Sequence, residues 1–85
     1  MRYPVLLHKD IDSDYGVTIP DVKGCYSSGE TIDKALSNAV EALHSHLEIL
    51  ISDGHSVPTP STIDTYQKHE DYQGGIWKYV DIHVE

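Results

Sequence analysis

Ile32, Leu36, Ala39, Val40, Leu43, Leu47 and Leu50 follow one another at steps of three and four, broken by a single step of one. That spacing draws one apolar stripe down a helix of 3.6-residue period. Thr31 is placed to cap its start, and Asp33 puts negative charge in the first turn, where the helix dipole favours it. Asp53-Gly54 closes it, with glycine suited to the left-handed position after a helix. From Ile32 to Ser52 such a helix spans roughly 30 Å. A helix that long with one apolar face needs a broad surface to lie on, and the rest of the chain reads mainly as strands.

Tyr3 to His8 alternates, with Val5 and Leu7 on one face and Leu6 and His8 on the other. Pro4 near its start suits an edge or a first position. The polar stretch from Lys9 to Asp14 is a turn, after which Tyr15 to Ile19 alternates again, Val17 and Ile19 inward. Cys25 to Ser28 is a short third strand between Gly24 and Gly29. After the helix, Val57-Pro58-Thr59-Pro60-Ser61 is extended. Ser61 or Thr62 caps a short helix from Ile63 to His69, and 71–75 is a loop. Ile76 to Val84 is the last strand, with Ile76, Lys78, Val80, Ile82 and Val84 on one face and Trp77, Tyr79, Asp81 and His83 on the other. The expected fold is therefore α+β, a two-layer sandwich of β-β-β-α-β order. It consists of an antiparallel meander, a last strand parallel to it through a right-handed crossover, and one long helix on one face.

Eighty-five residues make one domain with a thin core. Fourteen acids against six Lys and Arg give a net charge of −8. Such a chain repels phosphate and anionic lipid, so direct nucleic-acid and membrane binding are not expected, while a basic protein partner is favoured. A single cysteine, Cys25, excludes an internal disulfide framework and a multi-cysteine zinc site. A reducing cytoplasm is the simplest setting. The first residues form no signal peptide, and no apolar run approaches a membrane span.

The chemistry-bearing residues are scattered. His44 and His46 point to different sides of the helix, while His44 and Glu48 share one, without a string of metal-ligand spacing. A two-metal nuclease would need clustered acids. Asp10, Glu41 or Glu48, and Asp81 are the candidates, best read as solvated surface charges. Cys25 reads as a small core residue, and Ser27-Ser28 lacks a nucleophile elbow. No catalytic residue, metal or cofactor is expected, and binding is the better class.

Tyr15-Gly16-Val17-Thr18-Ile19-Pro20-Asp21, Gly24-Cys25-Tyr26, Gly29-Glu30-Thr31, then Ala35, Asn38 and Glu41-Ala42 stand in an order that resembles the HicB antitoxin family. Arg2-Tyr3-Pro4 and Asp53-Gly54 with Pro58-Thr59-Pro60-Ser61 extend the resemblance over nearly the whole chain. It implies a partial ribonuclease H-like domain of a type II toxin–antitoxin pair. The partner it implies is a small basic HicA-like toxin, an mRNA ribonuclease whose catalytic histidine the antitoxin masks. The family's C-terminal DNA-binding domain is expected to be absent from this chain, leaving 1–85 as a single toxin-binding domain. A stand-alone hydrolase or nuclease on a shortened ribonuclease H-like scaffold is the alternative.

The residues suggest how a toxin is held. Asp10, Asp12 and Asp14 alternate in the first turn beside Tyr15. In an extended turn their carboxylates would project from one side about 7 Å apart, close to the spacing of successive phosphates, so that the turn either mimics phosphate on the toxin's basic surface or is merely solvated. Tyr15 or Trp77 would supply an aromatic anchor. Trp77 and Tyr79 lie on the sheet face away from the long helix. There they either meet a partner or pack beneath the 57–72 connection. The last strand, at a sheet edge, leaves room for a homodimer or higher homo-oligomer.

Overall fold

The computed structural model describes residues 1–9 and 11–84. Its elements are β1 (Arg2–Lys9), β2 (Tyr15–Thr18), β3 (Tyr26–Gly29), α1 (Ile32–Ser52), α2 (Ile63–Gln67), a 3-10 turn at Glu70–Tyr72, and β4 (Ile76–Asp81). The strands form one sheet in the order β3-β2-β1-β4.

α1 forms where the apolar stripe placed it. The Thr31 side chain accepts from the Lys34 amide at 3.1 Å. At the other end Gly54, at φ 80°, lets its own amide reach the Ile51 carbonyl and the His55 amide reach that of Leu50. This is the paired closure in which a left-handed glycine satisfies carbonyls the last turn leaves open. Ala35, Ala39, Leu43 and Leu47 are fully buried at steps of four and face the sheet. They meet Tyr3, Val5 and Leu7 of β1, Val17 and Ile19 from β2 onward, and Val80 and Ile82 at the β4 side. Each fully buried Leu contributes about 1.5–3 kcal/mol of apolar burial. Ala35 belongs to this stripe although it is absent from the predicted set. Gly29 packs against the helix backbone at this point. A Cβ on Gly29 would lie 2.4 Å from the Ala35 amide nitrogen.

The direction of β4 differs from expectation. It pairs antiparallel with β1, Leu7 opposite Ile76 and Arg2 opposite Asp81. A parallel return requires the chain to run back along the helix and into the strand from the end at which β1 starts. Here the segment 53–75 adds a further pass. The extended stretch with Pro58 and Pro60 carries the chain round that end, and α2 with the 3-10 turn takes it up the second face of the sheet. β4 therefore enters beside the end of β1 and runs opposite to it.

That same segment covers part of the sheet face left open in the sequence reading. Pro4 and Leu6, which point away from α1, are buried as well. The covering strap is tied at three places. Tyr3 donates its hydroxyl to the Pro58 carbonyl at 2.6 Å. The Asp21 carboxylate accepts from the Ser61 amide at 2.7 Å and from the Tyr66 hydroxyl. The Ile63 amide donates to the Tyr79 hydroxyl at 2.9 Å.

Candidate partner-binding surface

The first hairpin and the start of α1 share one end of the molecule. Lys9 lies opposite Tyr15, and Tyr15 opposite Gly29, so the 11–14 turn and the Glu30–Asp33 corner open side by side. Asp12, Asp14, Glu30 and Asp33 are all exposed there. Lys9 turns over the Tyr15 ring, its ammonium 5.1 Å from the centroid. Ile11 is 93% exposed between acidic neighbours. A β-branched apolar side chain at a hairpin tip packs against nothing in its own fold and is available to a partner.

The turn is not extended at Asp12, as the carboxylate row requires. Asp12 has φ 62°, a left-handed conformation that turns the chain and breaks the alternation an extended segment would give. Phosphate-like spacing between the carboxylates is therefore not supplied by an extended turn. Asp10 lies outside the described residues. Tyr15 is half-buried against the helix-side core.

Trp77 and Tyr79 lie on the opposite face from Tyr15, so the two aromatic groups do not converge. Trp77 is half-buried beneath the strap, stacked on Tyr66 with centroids 6.3 Å apart and edge-on to Tyr72 at 6.2 Å. Of the two readings for Trp77, packing beneath the connection is the one seen. Tyr79 remains 41% exposed, its ring facing the Arg2 guanidinium at 5.9 Å. Burial first, and then the hydrogen bond to Asp21, holds the Tyr66 phenol above its ordinary pKa. Burial does the same to Tyr3, with the Asp21 charge adding to it.

Of the candidate nuclease acids, Asp10 lies outside the described residues, and Asp81 is kept apart from Glu41 and Glu48. Asp81 projects from the second face and is engaged by Arg2 at 2.9 Å, whereas Glu41 and Glu48 are exposed on α1, across the sheet. Asp81 is held below its ordinary pKa by the Arg2 hydrogen bond, with the guanidinium's charge also contributing. His44 and Glu48 do meet, at 3.4 Å, and His83 lines the same cavity of about 510 Å³. Among the described residues no group of three His, Cys, Asp or Glu is placed to hold a metal. Cys25 is buried, and that burial raises its thiol pKa, the opposite of what a nucleophile needs.

The sequence reading missed Glu30 and Asp33 as members of the acidic end, because only the β2–β3 pairing brings them beside the first turn. It also missed Asp21, Tyr66 and Tyr72. The spacing of Tyr66, Tyr72 and Trp77 was a usable aromatic signal, but no local pattern links Asp21 to residues 40 positions away.

The described residues thus form an acidic α+β sheet closed on its second face by a strap, with Asp12, Asp14, Glu30 and Asp33 exposed at one end. Residues 3–85 match the family described as HicB_like antitoxin of bacterial toxin-antitoxin system. The chain belongs to this antitoxin family. It is 35% identical over 82 residues to an uncharacterized 14.9 kDa protein of Haemophilus phage HP1, covering 96% of this chain and 61% of that one. It is 30% identical to Antitoxin HicB of Escherichia coli K12 over 78% of this chain and 48% of the antitoxin. The crystal structure of the N-terminal domain of the Burkholderia pseudomallei antitoxin HicB superposes with a TM-score of 0.86 at 40% identity, over 99% of this chain and 100% of that one. A chain of the HicA3 and HicB3 toxin-antitoxin complex gives 0.80 at 30% identity, over 99% and 100%. The chain thus spans about half to three-fifths of two of its curated relatives and the whole of the matched Burkholderia domain. Among the described residues no helix is long and apolar enough to cross a membrane.

Proposed function

We propose that this chain is the toxin-binding module of a HicA-like pair, neutralising a small basic mRNA ribonuclease by covering its active site through the acidic hairpin end. The observation that carries the reading is the likeness, along the whole fold, to a chain of the HicA3–HicB3 complex. The charge supports it: at −8 the chain attracts a basic partner, and Asp12, Asp14, Glu30 and Asp33 concentrate acid at one end. Asp10, Asp12 and Asp14 steer the encounter, and Ile11 with Tyr15 provides the desolvated contact. Tyr79 and the strap-covered Trp77 lie on the other face, outside this contact. The module acts without catalysis, a reading supported by Asp81 facing the opposite side of the sheet from Glu41 and Glu48.

The test is binding to a small basic HicA-like toxin, followed by stopped flow. Association should slow as salt rises toward 0.15 M, where screening acts over about 8 Å. Asn at positions 10, 12 and 14 together should flatten that dependence in a normally folded chain. Ile11→Ser should speed dissociation about tenfold, the factor expected for losing roughly 1.4 kcal/mol of contact. Unchanged association and dissociation in both variants would move the interface to another face.

A further inference from the structure

Lys9, the last residue of β1, stands opposite Tyr15, the first of β2. Tyr15 is half-buried against the core and Lys9 is exposed. The chain around them is acidic. Asp14 precedes Tyr15, and Glu30 follows Gly29, which pairs with Tyr15 from the other side. An exposed lysine in such surroundings is expected to pair with a carboxylate. Among the described residues no carboxylate pairs with Lys9, and its ammonium lies over the Tyr15 ring instead, 5.1 Å from the centroid.

The arrangement is a seat for a cation. The core holds the ring in place, the ring face attracts positive charge, and Gly29 brings no side chain to cover it. Lysine is a weak occupant of that seat. Its ammonium is compact and strongly hydrated, and it rides on a flexible four-carbon stem. A guanidinium is planar and more weakly hydrated. It can lie flat on the ring while its N–H fork takes a carboxylate at the rim.

We propose that the Tyr15 ring seats an arginine of the basic partner, and that Lys9 is its placeholder, filling the seat in the free chain and leaving when the partner binds. The inference rests on the toxin-binding reading and adds the chemistry of one contact and the internal contact that competes with it. It gives Lys9 an effect beyond its charge. A lysine that only repels a basic partner acts alike whether or not residue 15 is aromatic, whereas a placeholder acts through the ring.

Lys9→Arg separates the two, because it keeps the charge and strengthens the hold on the ring. Affinity for a small basic HicA-like toxin, measured by titration calorimetry in near-physiological salt, should fall about threefold in Lys9→Arg and rise about threefold in Lys9→Met, the factor for a cation–π contact at an exposed site. In a Tyr15→Leu background Lys9→Arg should have no effect, and Lys9→Met only that of the lost charge. Toxin binding by Lys9→Arg as tight as by wild type, or weakened equally in the Tyr15→Leu background, overturns the inference and leaves the toxin reading standing. A second measurement uses no toxin. In the free chain the Tyr15 ring current should move the Lys9 ε-methylene protons upfield in NMR spectra. N-acetylarginine amide should return them toward open-chain positions more strongly than N-acetyllysine amide at equal ionic strength. Lys9 protons at open-chain positions from the start, or no difference between the two amides, also overturns the inference. If wild type binds no toxin, the toxin reading fails and the NMR titration decides the seat. If Tyr15→Leu does not fold, Lys9→Arg and the NMR titration decide.

Discussion

Asp21 shows how one carboxylate can hold a long connection. It receives the Ser61 amide and the Tyr66 hydroxyl, both some forty positions along the chain, and so fixes the strap that covers Leu6 and Trp77. Tyr66→Phe keeps the ring against Trp77 and removes only the hydroxyl bond. It should cost about 1 kcal/mol, or roughly 4–8 °C in Tm for a domain of this size. Thermal melts followed by Trp77 fluorescence would measure it. The raised phenols of Tyr3 and Tyr66 also set an alkaline limit. In the unfolded chain these groups lose their protons at ordinary phenol pH, near 10, while the folded chain retains them. The folded state then binds more protons, so stability falls as pH rises through that range. Below it the contribution is fully present. Denaturant midpoints between pH 8 and 11 should decline above about pH 10, and less steeply in Tyr66→Phe. None of these pairings could be read from the sequence, because Asp21 sits in an ordinary turn signal and its partners carry no pattern that points back to it.

At the scale of elements, legibility followed locality. α1 was readable to the residue because its stripe, Thr31 cap and Gly54 closure all lie within its own stretch. The β1–β2 hairpin was readable from alternation on both sides of a polar turn. The direction of β4 was not, because it depends on where the 53–75 segment travels, and two prolines report only that this segment is extended. Gly29 is an element contact sensitive to change. A methyl there meets backbone of the first helical turn, 2.4 Å from the Ala35 nitrogen and 2.7 Å from the Lys34 carbonyl carbon, and backbone cannot swing aside as a side chain can. Gly29→Ala should destabilise by about 1–3 kcal/mol through overpacking. Urea denaturation would test it. A loss below a few tenths of a kcal/mol would mean that α1 slides freely over β3.

For the whole molecule, the sequence carried class and sign of charge, and neither required a side-chain position. It could not carry the convergence of Asp12, Asp14, Glu30 and Asp33 on one end, which arises only when β3 pairs with β2. The acidic total predicts that the chain alone leaves duplex DNA unshifted at low micromolar protein in near-physiological salt. Non-specific binders show Kd of about 10⁻⁴ to 10⁻⁶ M through phosphate contacts that this surface repels. A retarded band under those conditions would contradict the charge argument.

The Met1–Ile82 exchange has a topological consequence. Met1 and Ile82 exchange both backbone bonds, each at 2.7 Å, which sets position 82 beside position 1 across a single ladder step. Over residues 1–82 the backbone therefore traces an almost closed ring. A few residues joining position 84 to position 1 would close it, and the ring could then be reopened at the exposed 11–13 turn without cutting any strand. Circular permutation at that turn would leave the sheet order and the helix layer as they are, while giving the hairpin tip two free ends.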